Sequence, residues 1–202
     1  MILKNLLKIL LLITFALTTA NALKKDNIKE EMNNKINNIL LVLKDNSLEK
    51  EQKAEKIIKI IDPVFDYTTM SKIALGKKTW TSISKEKQEE FVKVFEEKLK
   101  NSYVGKLELY TNQKVRIIDL LTYKKSRLQL SSELIGVDDT YTINYNFYNN
   151  KKMNEWLIYD VDLLGVSIIQ TYRQQFSGLL KQMSFDEMLK TLKETNETNE
   201  TN

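Results

Sequence analysis

The stretch YDVDLLGVSIIQTYRQQF, residues 159–176, decides the fold. Its first half has the composition of a strand and its second half the spacing of a helix, with Gly165 at the change. Gly165 permits the reversal, because glycine alone enters the left-handed region without steric cost. Ser167-Ile168-Ile169-Gln170 has the pattern of a capping box, which starts a helix. Ile169, Tyr172, Phe176 and Leu180 follow at helical spacing and are expected to lie back over a sheet. The stretch is therefore a strand-to-helix corner. It forms either an ordinary core or the wall of a site for something apolar.

Upstream of the corner the sequence period is two. Leu128, Leu130 and Leu134 alternate with polar residues, as do Tyr141, Ile143, Tyr145 and Phe147; both runs read as half-buried strands. Val115 and Ile117 mark a weaker strand before them, Asn149-Asn150 a turn, and Trp156 to Leu163 the fourth strand. Short connections imply an antiparallel sheet with one covered face. Further upstream the period is that of helices. Ile28, Met32, Ile36, Ile39 and Leu43 form one stripe, and Ala54, Ile57, Ile58 and Ile61 a second that Asp62-Pro63 stops. A short helix follows Asp66 and ends at Gly76. A long one starts at Ser84 with the stripe Phe91, Phe95, Leu99, Tyr103, Leu107 and Tyr110, and contains Gly105. Ser184-Phe185-Asp186-Glu187 opens a last helix, with Met183 and Met188 as its staple. The expected fold is α+β: N-terminal helices, a four-stranded antiparallel sheet, then C-terminal helices.

At the N-terminus, Lys4 and Lys8 precede a short apolar run, and Ala20-Asn21-Ala22 offers small residues for cleavage. That is the pattern of a secretory signal peptide over residues 1–22; the run is short for a transmembrane anchor, which needs roughly 20 apolar residues. The predicted organisation is signal peptide 1–22, one folded domain 23–192 and a disordered polar tail 193–202. Of 31 basic residues, Lys4 and Lys8 leave with the leader, so 29 stand against 27 acids, a net charge of +2. Such a balance argues against a nucleic-acid partner.

The chain has neither Cys nor His, so disulfides, thiol nucleophiles, Ser-His pairs and His/Cys zinc sites are excluded. Carboxylate chemistry remains. Asp138-Asp139 beside Gly136 reads as a turn, and Asp160 with Asp162 as either a carboxylate pair or a strand end. A hydrolase would need two acids converging in a pocket, and none is evident. Neither a catalytic residue nor a metal or cofactor is expected. The inward aromatics could fill a packed core or line a ligand cavity, and periodicity does not separate the two.

Three segments carry a family resemblance: FDYTTMSKIALGKKTW (65–80), KQEEFVKVFEEKLKNSYVGKLELY (87–110) and WLIYDVDLLGVSIIQTYRQQF (156–176). In their order and spacing they resemble the MlaC family of periplasmic phospholipid-binding components of the Mla lipid-transport system, also called toluene-tolerance auxiliary proteins. The likeness covers residues 26–192. An acid commonly precedes the Gly-Val-Ser in that pattern, and here Leu164 stands in its place. The resemblance implies a cone-shaped fold like nuclear transport factor, with acyl chains between sheet and helices and the headgroup near the mouth. It implies a non-enzymatic periplasmic carrier in a Gram-negative bacterium. The carrier would take diacyl phospholipid between an outer-membrane MlaA-like lipoprotein with its porin and an inner-membrane ABC transporter with an MlaD-like component, maintaining outer-membrane lipid asymmetry. A structural adaptor with a dry, closed core is the alternative.

The inward positions expected to meet lipid are Phe65, Met70, Ile73, Phe91, Phe95, Leu99, Tyr103, Leu107, Ile143, Tyr145, Phe147, Trp156, Ile158, Val166, Ile169, Tyr172 and Phe176. In the tail, two overlapping acid-x-Asn-x-Thr stretches make Asn196 and Asn199 candidate glycosylation acceptors, with a plain solvated repeat as the alternative.

Overall fold

The computed structural model describes residues 23–104, 110 and 112–200, with the side chains of 103–104 and 197–200 outside that description. The expected signal peptide, the proposed contact Leu107, the side chains of Tyr103 and Asn199, and Gly105 all lie outside the described residues.

Helix α1 (Ile28–Lys44) and α2 (Lys50–Ile61) form the N-terminal pair. The stripe of α1 buries Ile28, Met32 and Ile36, while Glu30 and Glu31 in its first turn and Lys44 in its last complement the helix dipole. Glu49 and Gln52 close a capping box at the start of α2. Pro63 cannot donate a backbone bond, so the chain leaves α2 through a 3-10 turn, Asp62–Val64. Asp66 caps α3 (Tyr67–Leu75) by accepting from the Thr69 amide at 2.8 Å. At Gly76 the backbone takes φ +82°, and a further short helix, α4 (Lys77–Ser82), buries Trp80. The sequence reading did not separate α4 from its surroundings.

Helix α5 is described over Lys85–Val104. Tyr110, expected on its stripe, is not helical; its hydroxyl instead donates to the Gln113 carbonyl at 3.3 Å.

The sheet is a meander of β1 (Lys114–Lys124), β2 (Arg127–Ile135), β3 (Thr140–Asn150), β4 (Glu155–Leu163) and β5 (Val166–Ser167), neighbours in that order and all antiparallel. It has five strands rather than four. Leu164 and Gly165, at φ +55° and +81°, make a tight reversal that lays Val166 beside Leu163 and Ser167 beside Asp162. Asn149 and Asn150 end β3 rather than turning; the turn is Lys151–Asn154, where Asn154 takes φ +54°. The outer edge of β4 is covered further by Phe65 and Asp66: Phe65 bridges Ile158 in parallel, and the Asp66 amide donates to the Ile158 carbonyl at 2.9 Å. Covering an edge in this way removes a template for pairing with other chains.

Helix α6 (Ile168–Leu179) is capped by Ser167, and α7 (Phe185–Glu200) by a reciprocal pair of bonds between Ser184 and Glu187. The segment expected to be a disordered tail from residue 193 is therefore helical through Glu200. Leu192 and Asn196 are buried, and the Asn196 amide donates to the Val94 carbonyl of α5 at 2.9 Å.

Two apolar clusters result. One is helical: Met70, Trp80, Phe91, Phe95, Leu99, Ile169, Phe176 and Met188 join α3 to α7. The other covers the sheet: Leu128, Leu130, Phe147, Trp156 and Ile158 pack against Leu23, Ile28, Met32 and Val64. Helix α6 turns Ile169 and Phe176 into the helical cluster, not onto the sheet as the sequence suggested. The cover of the sheet comes from the N-terminus.

Candidate functional site: an apolar cavity between sheet and helices

The two clusters touch through Phe65 and Ile168, which pack against both, without filling all the space that separates them. Between them lies a cavity of about 460 Å³. Helix α1 presents Met32, Lys35, Ile36 and Ile39, spaced 3, 1 and 3, which is one face of a helix. Ile57, Ile58 and Ile61 of α2 stand beside them. The sheet supplies Leu134, Ile143, Tyr145, Val161 and Leu163. Register explains the set: Ile143 pairs with Leu163 and Tyr145 with Val161, so all four share one face. A bulge between Asn146 and Phe147 then shifts β4 by one residue, which keeps Ile158 on the same face further along. Val64, Phe65, Tyr67, Met70, Leu99 and Ile168 complete the wall where the clusters meet.

Polar groups are few in this wall. The Tyr67 hydroxyl donates to Asp62 at 2.8 Å, and burial followed by that acid raises its pKa well above the ordinary phenol range. Burial also raises Tyr145. Burial alone would lower the Lys100 ammonium, but its bonds to Asp62 at 2.7 Å and Glu96 at 2.6 Å hold it above its usual value. Lys35 donates to the Ile60 carbonyl at 3.2 Å. Such a space can take hydrocarbon, with the Lys35 and Lys100 ammonium groups as the charged part of its lining.

A second, more open pocket of about 590 Å³ shares Leu163 and Ile168 with the first. Lys98, Ser102, Val166, Thr171, Tyr172 and Gln175 line it, with the Ser102 and Tyr172 hydroxyls 3.2 Å apart.

Of the positions expected to meet lipid, the cavity wall contains Phe65, Met70, Leu99, Ile143 and Tyr145. Val166 and Tyr172 face the second pocket. Phe91, Phe95, Ile169 and Phe176 are packed in the helical cluster, where Phe95 and Phe176 meet edge-to-face at 5.4 Å, and Ile73 packs against its outside. Phe147, Trp156 and Ile158 are in the sheet cluster. These eight do not line the cavity, because other side chains already fill the space before them. What the sequence reading missed is the wall from α1 and α2. Its stripes were visible as helices, but nothing local said which surface they faced.

The acids have structural roles. Asp160, 8% exposed, accepts from the Ser167 hydroxyl at 2.7 Å and the Ile169 amide at 3.2 Å, pinning the β5–α6 corner. Burial raises its pKa despite those bonds. Asp162 accepts from the Gly165 amide at 2.8 Å. The Gly136 amide donates to the Asp139 carbonyl at 2.8 Å, which closes a turn. Asn196 is withdrawn into the α5–α7 contact, so the folded chain does not offer it as a glycosylation acceptor.

Fold and cavity together define a class: an α+β protein with a largely apolar cavity between an antiparallel meander and its covering helices. The family description "MlaC protein" matches residues 33–194, and the chain belongs to that family. It is similar to the intermembrane phospholipid transport system binding protein MlaC of Haemophilus influenzae, at 24% identity over 119 residues. That match takes in 57% of this chain and 56% of the relative, so the chain spans a little over half the length of the curated relative it matches. Its fold is shared with the phospholipid-binding protein from Ralstonia solanacearum, solved in complex with a phospholipid: TM-score 0.73, 20% identity, covering 84% of this chain and 97% of that one.

Proposed function

We propose that this protein is a soluble phospholipid carrier of the periplasm, without enzymatic activity, that takes diacyl lipid between outer- and inner-membrane components of an Mla system. The observation that carries the reading is the cavity of about 460 Å³, lined mostly by apolar side chains, with Lys35 and Lys100 as the charged groups of its lining. Burying acyl chains there would supply about 0.8 kcal/mol per methylene, a driving force that requires no reacting group. Family membership and the lipid named in the Ralstonia structure support the choice of ligand. Export through a cleaved leader, an MlaA-like donor or acceptor with its porin, an MlaD-like transporter component, a cone-like enclosure and a part in outer-membrane asymmetry belong to the same proposal.

The test is mass spectrometry of solvent extracts from protein purified without detergent out of a Gram-negative periplasm. Diacyl phospholipid in near-stoichiometric amount is expected. Lipid-free protein would favour the adaptor.

A further inference from the structure

The second pocket, about 590 Å³, opens beside the apolar cavity, and Leu163 and Ile168 belong to both walls. The rest of its lining is of another kind. Helix α5 contributes Lys98 and Ser102, four residues apart and so on one face, and α6 contributes Thr171, Tyr172 and Gln175. No acid stands among the described residues of this lining. Lys98 is half-buried, and burial holds its pKa below the usual lysine value with no opposing charge to offset it. Lys100 on the same helix is the contrast, because Asp62 and Glu96 already bond its ammonium. Among the described residues, neither the Lys98 ammonium nor the Gln175 amide has a hydrogen-bond or ion-pair partner. The ring of Tyr172 lies edge-to-face against Phe95 at 5.0 Å, which fixes its hydroxyl at the pocket, 3.2 Å from that of Ser102. Ser102 already donates to the Lys98 carbonyl at 2.7 Å, so the proton of the longer bond belongs to Tyr172 and can turn to a better acceptor.

We propose that the second pocket is the phosphate subsite of the carried lipid: the Lys98 ammonium pairs with the phosphodiester anion, Gln175 and Tyr172 donate to its oxygens, and the acyl chains pass Leu163 and Ile168 into the apolar cavity. The inference rests on the carrier reading and adds to it the residues that hold the headgroup. A charge-assisted bond to phosphate offsets the desolvation that Lys98 bears alone, and it sets the orientation of the lipid. Lys35 offers no equal site. It donates to the Ile60 carbonyl at 3.2 Å and stands in the cavity wall among Met32, Ile36 and Ile39, where a phosphate would lose its water without polar side chains to replace it.

Delipidated full chain is incubated with phosphatidylcholine vesicles containing a minor share of diacylglycerol with the same acyl chains, then repurified, and its lipids are quantified by mass spectrometry. Relative to the vesicles, the phosphate-bearing lipid is expected to be enriched roughly tenfold over diacylglycerol, the scale of one charge-assisted hydrogen bond. Lys98→Gln should bring the ratio close to that of the vesicles, while diacylglycerol still loads and so reports a folded variant. Lys98→Arg and Lys35→Gln should keep the preference. Wild type that loads both lipids without preference overturns the phosphate subsite and leaves the carrier standing. So does an unchanged ratio in Lys98→Gln, a collapse in Lys98→Arg equal to that in Lys98→Gln, or a collapse in Lys35→Gln instead. Inorganic phosphate titrated into delipidated protein is expected to give no saturable heat, since it lacks the acyl chains; saturable binding that Lys98→Gln abolishes, together with equal loading of the two lipids, would assign the pocket to the free anion. Failure of the wild type to load either lipid overturns the carrier reading and this one with it.

Discussion

Ile143 and Phe95 were both expected to meet lipid, yet they stand in different physical settings. Ile143 is half-buried on the cavity wall, whereas Phe95 is fully enclosed by Phe91, Tyr172 and Phe176. In Ile143→Trp the indole would occupy ligand space. Bound phospholipid should drop strongly while the melting temperature of delipidated protein changes little. A much lower melting point with unchanged lipid per folded molecule would place Ile143 in ordinary core. Phe95→Ala should instead open a void and cost about 3–5 kcal/mol in urea denaturation. Asp160 provides a third contrast. Its folded pKa is raised by burial, so its native state binds the proton more tightly than the unfolded chain does. The stability it contributes is therefore full below the unfolded value and is lost as pH rises through the folded one. Comparing the urea midpoint of wild type and Asp160→Asn across acidic to neutral pH should show that slope in the wild type alone.

Among the elements, α3 depends most visibly on one side chain. The Asp66 carboxylate accepts from the Thr69 amide, the Thr69 hydroxyl and the Tyr148 hydroxyl, tying the helix start to β3. Asp66→Ala should cost about 1–2 kcal/mol by chemical denaturation, and Asp66→Asn should recover much of it, because Asn caps nearly as well. Helix α7 shows how a polar repeat can still hold a place. Every third residue of its end is Asn, and Asn196 falls on the α5 face, bonded to Val94. Removing residues 197–202 should leave stability unchanged, while removing 194–202 should lower it by about 1 kcal/mol, the usual net value of one hydrogen bond. Equal melting curves for the two truncations would count against the Asn196 contact.

For the molecule as a whole, the cavity means that stability and function are linked. A ligand that binds only the folded form stabilises it, by about 2.7 kcal/mol when present at a hundred times its dissociation constant. Lipid-loaded wild type should melt above delipidated wild type, and Ile143→Trp should erase most of that difference. Calorimetry on the four samples decides this; a gap that persists in the variant would put the lipid elsewhere.

The elements and much of their chemistry were legible in the residue pattern. Period two against period four marked strands and helices, Asp66, Ser167 and Ser184 announced helix starts, and Gly165 the corner. All of these act within a few residues, so a short window contains the physics. The same locality explains the errors: Trp80's helix is only six residues long, β5 is two residues recognisable only by its partner, and the polar end of α7 is helical against a neighbour more than ninety residues away. The resemblance of the three quoted segments supplied the family, which periodicity could not. Which apolar faces meet and which stay apart was set by the packing of the folded chain. Phe91, Phe95 and Phe176 look no different in sequence from Phe65 or Tyr145, because an inward-facing side chain has the same period whether packed atoms or empty space lies before it. The cavity exists because α6 turned into the helical cluster and left α1 and α2 to span the sheet, and that choice is made by the shapes of whole faces rather than by any residue within them.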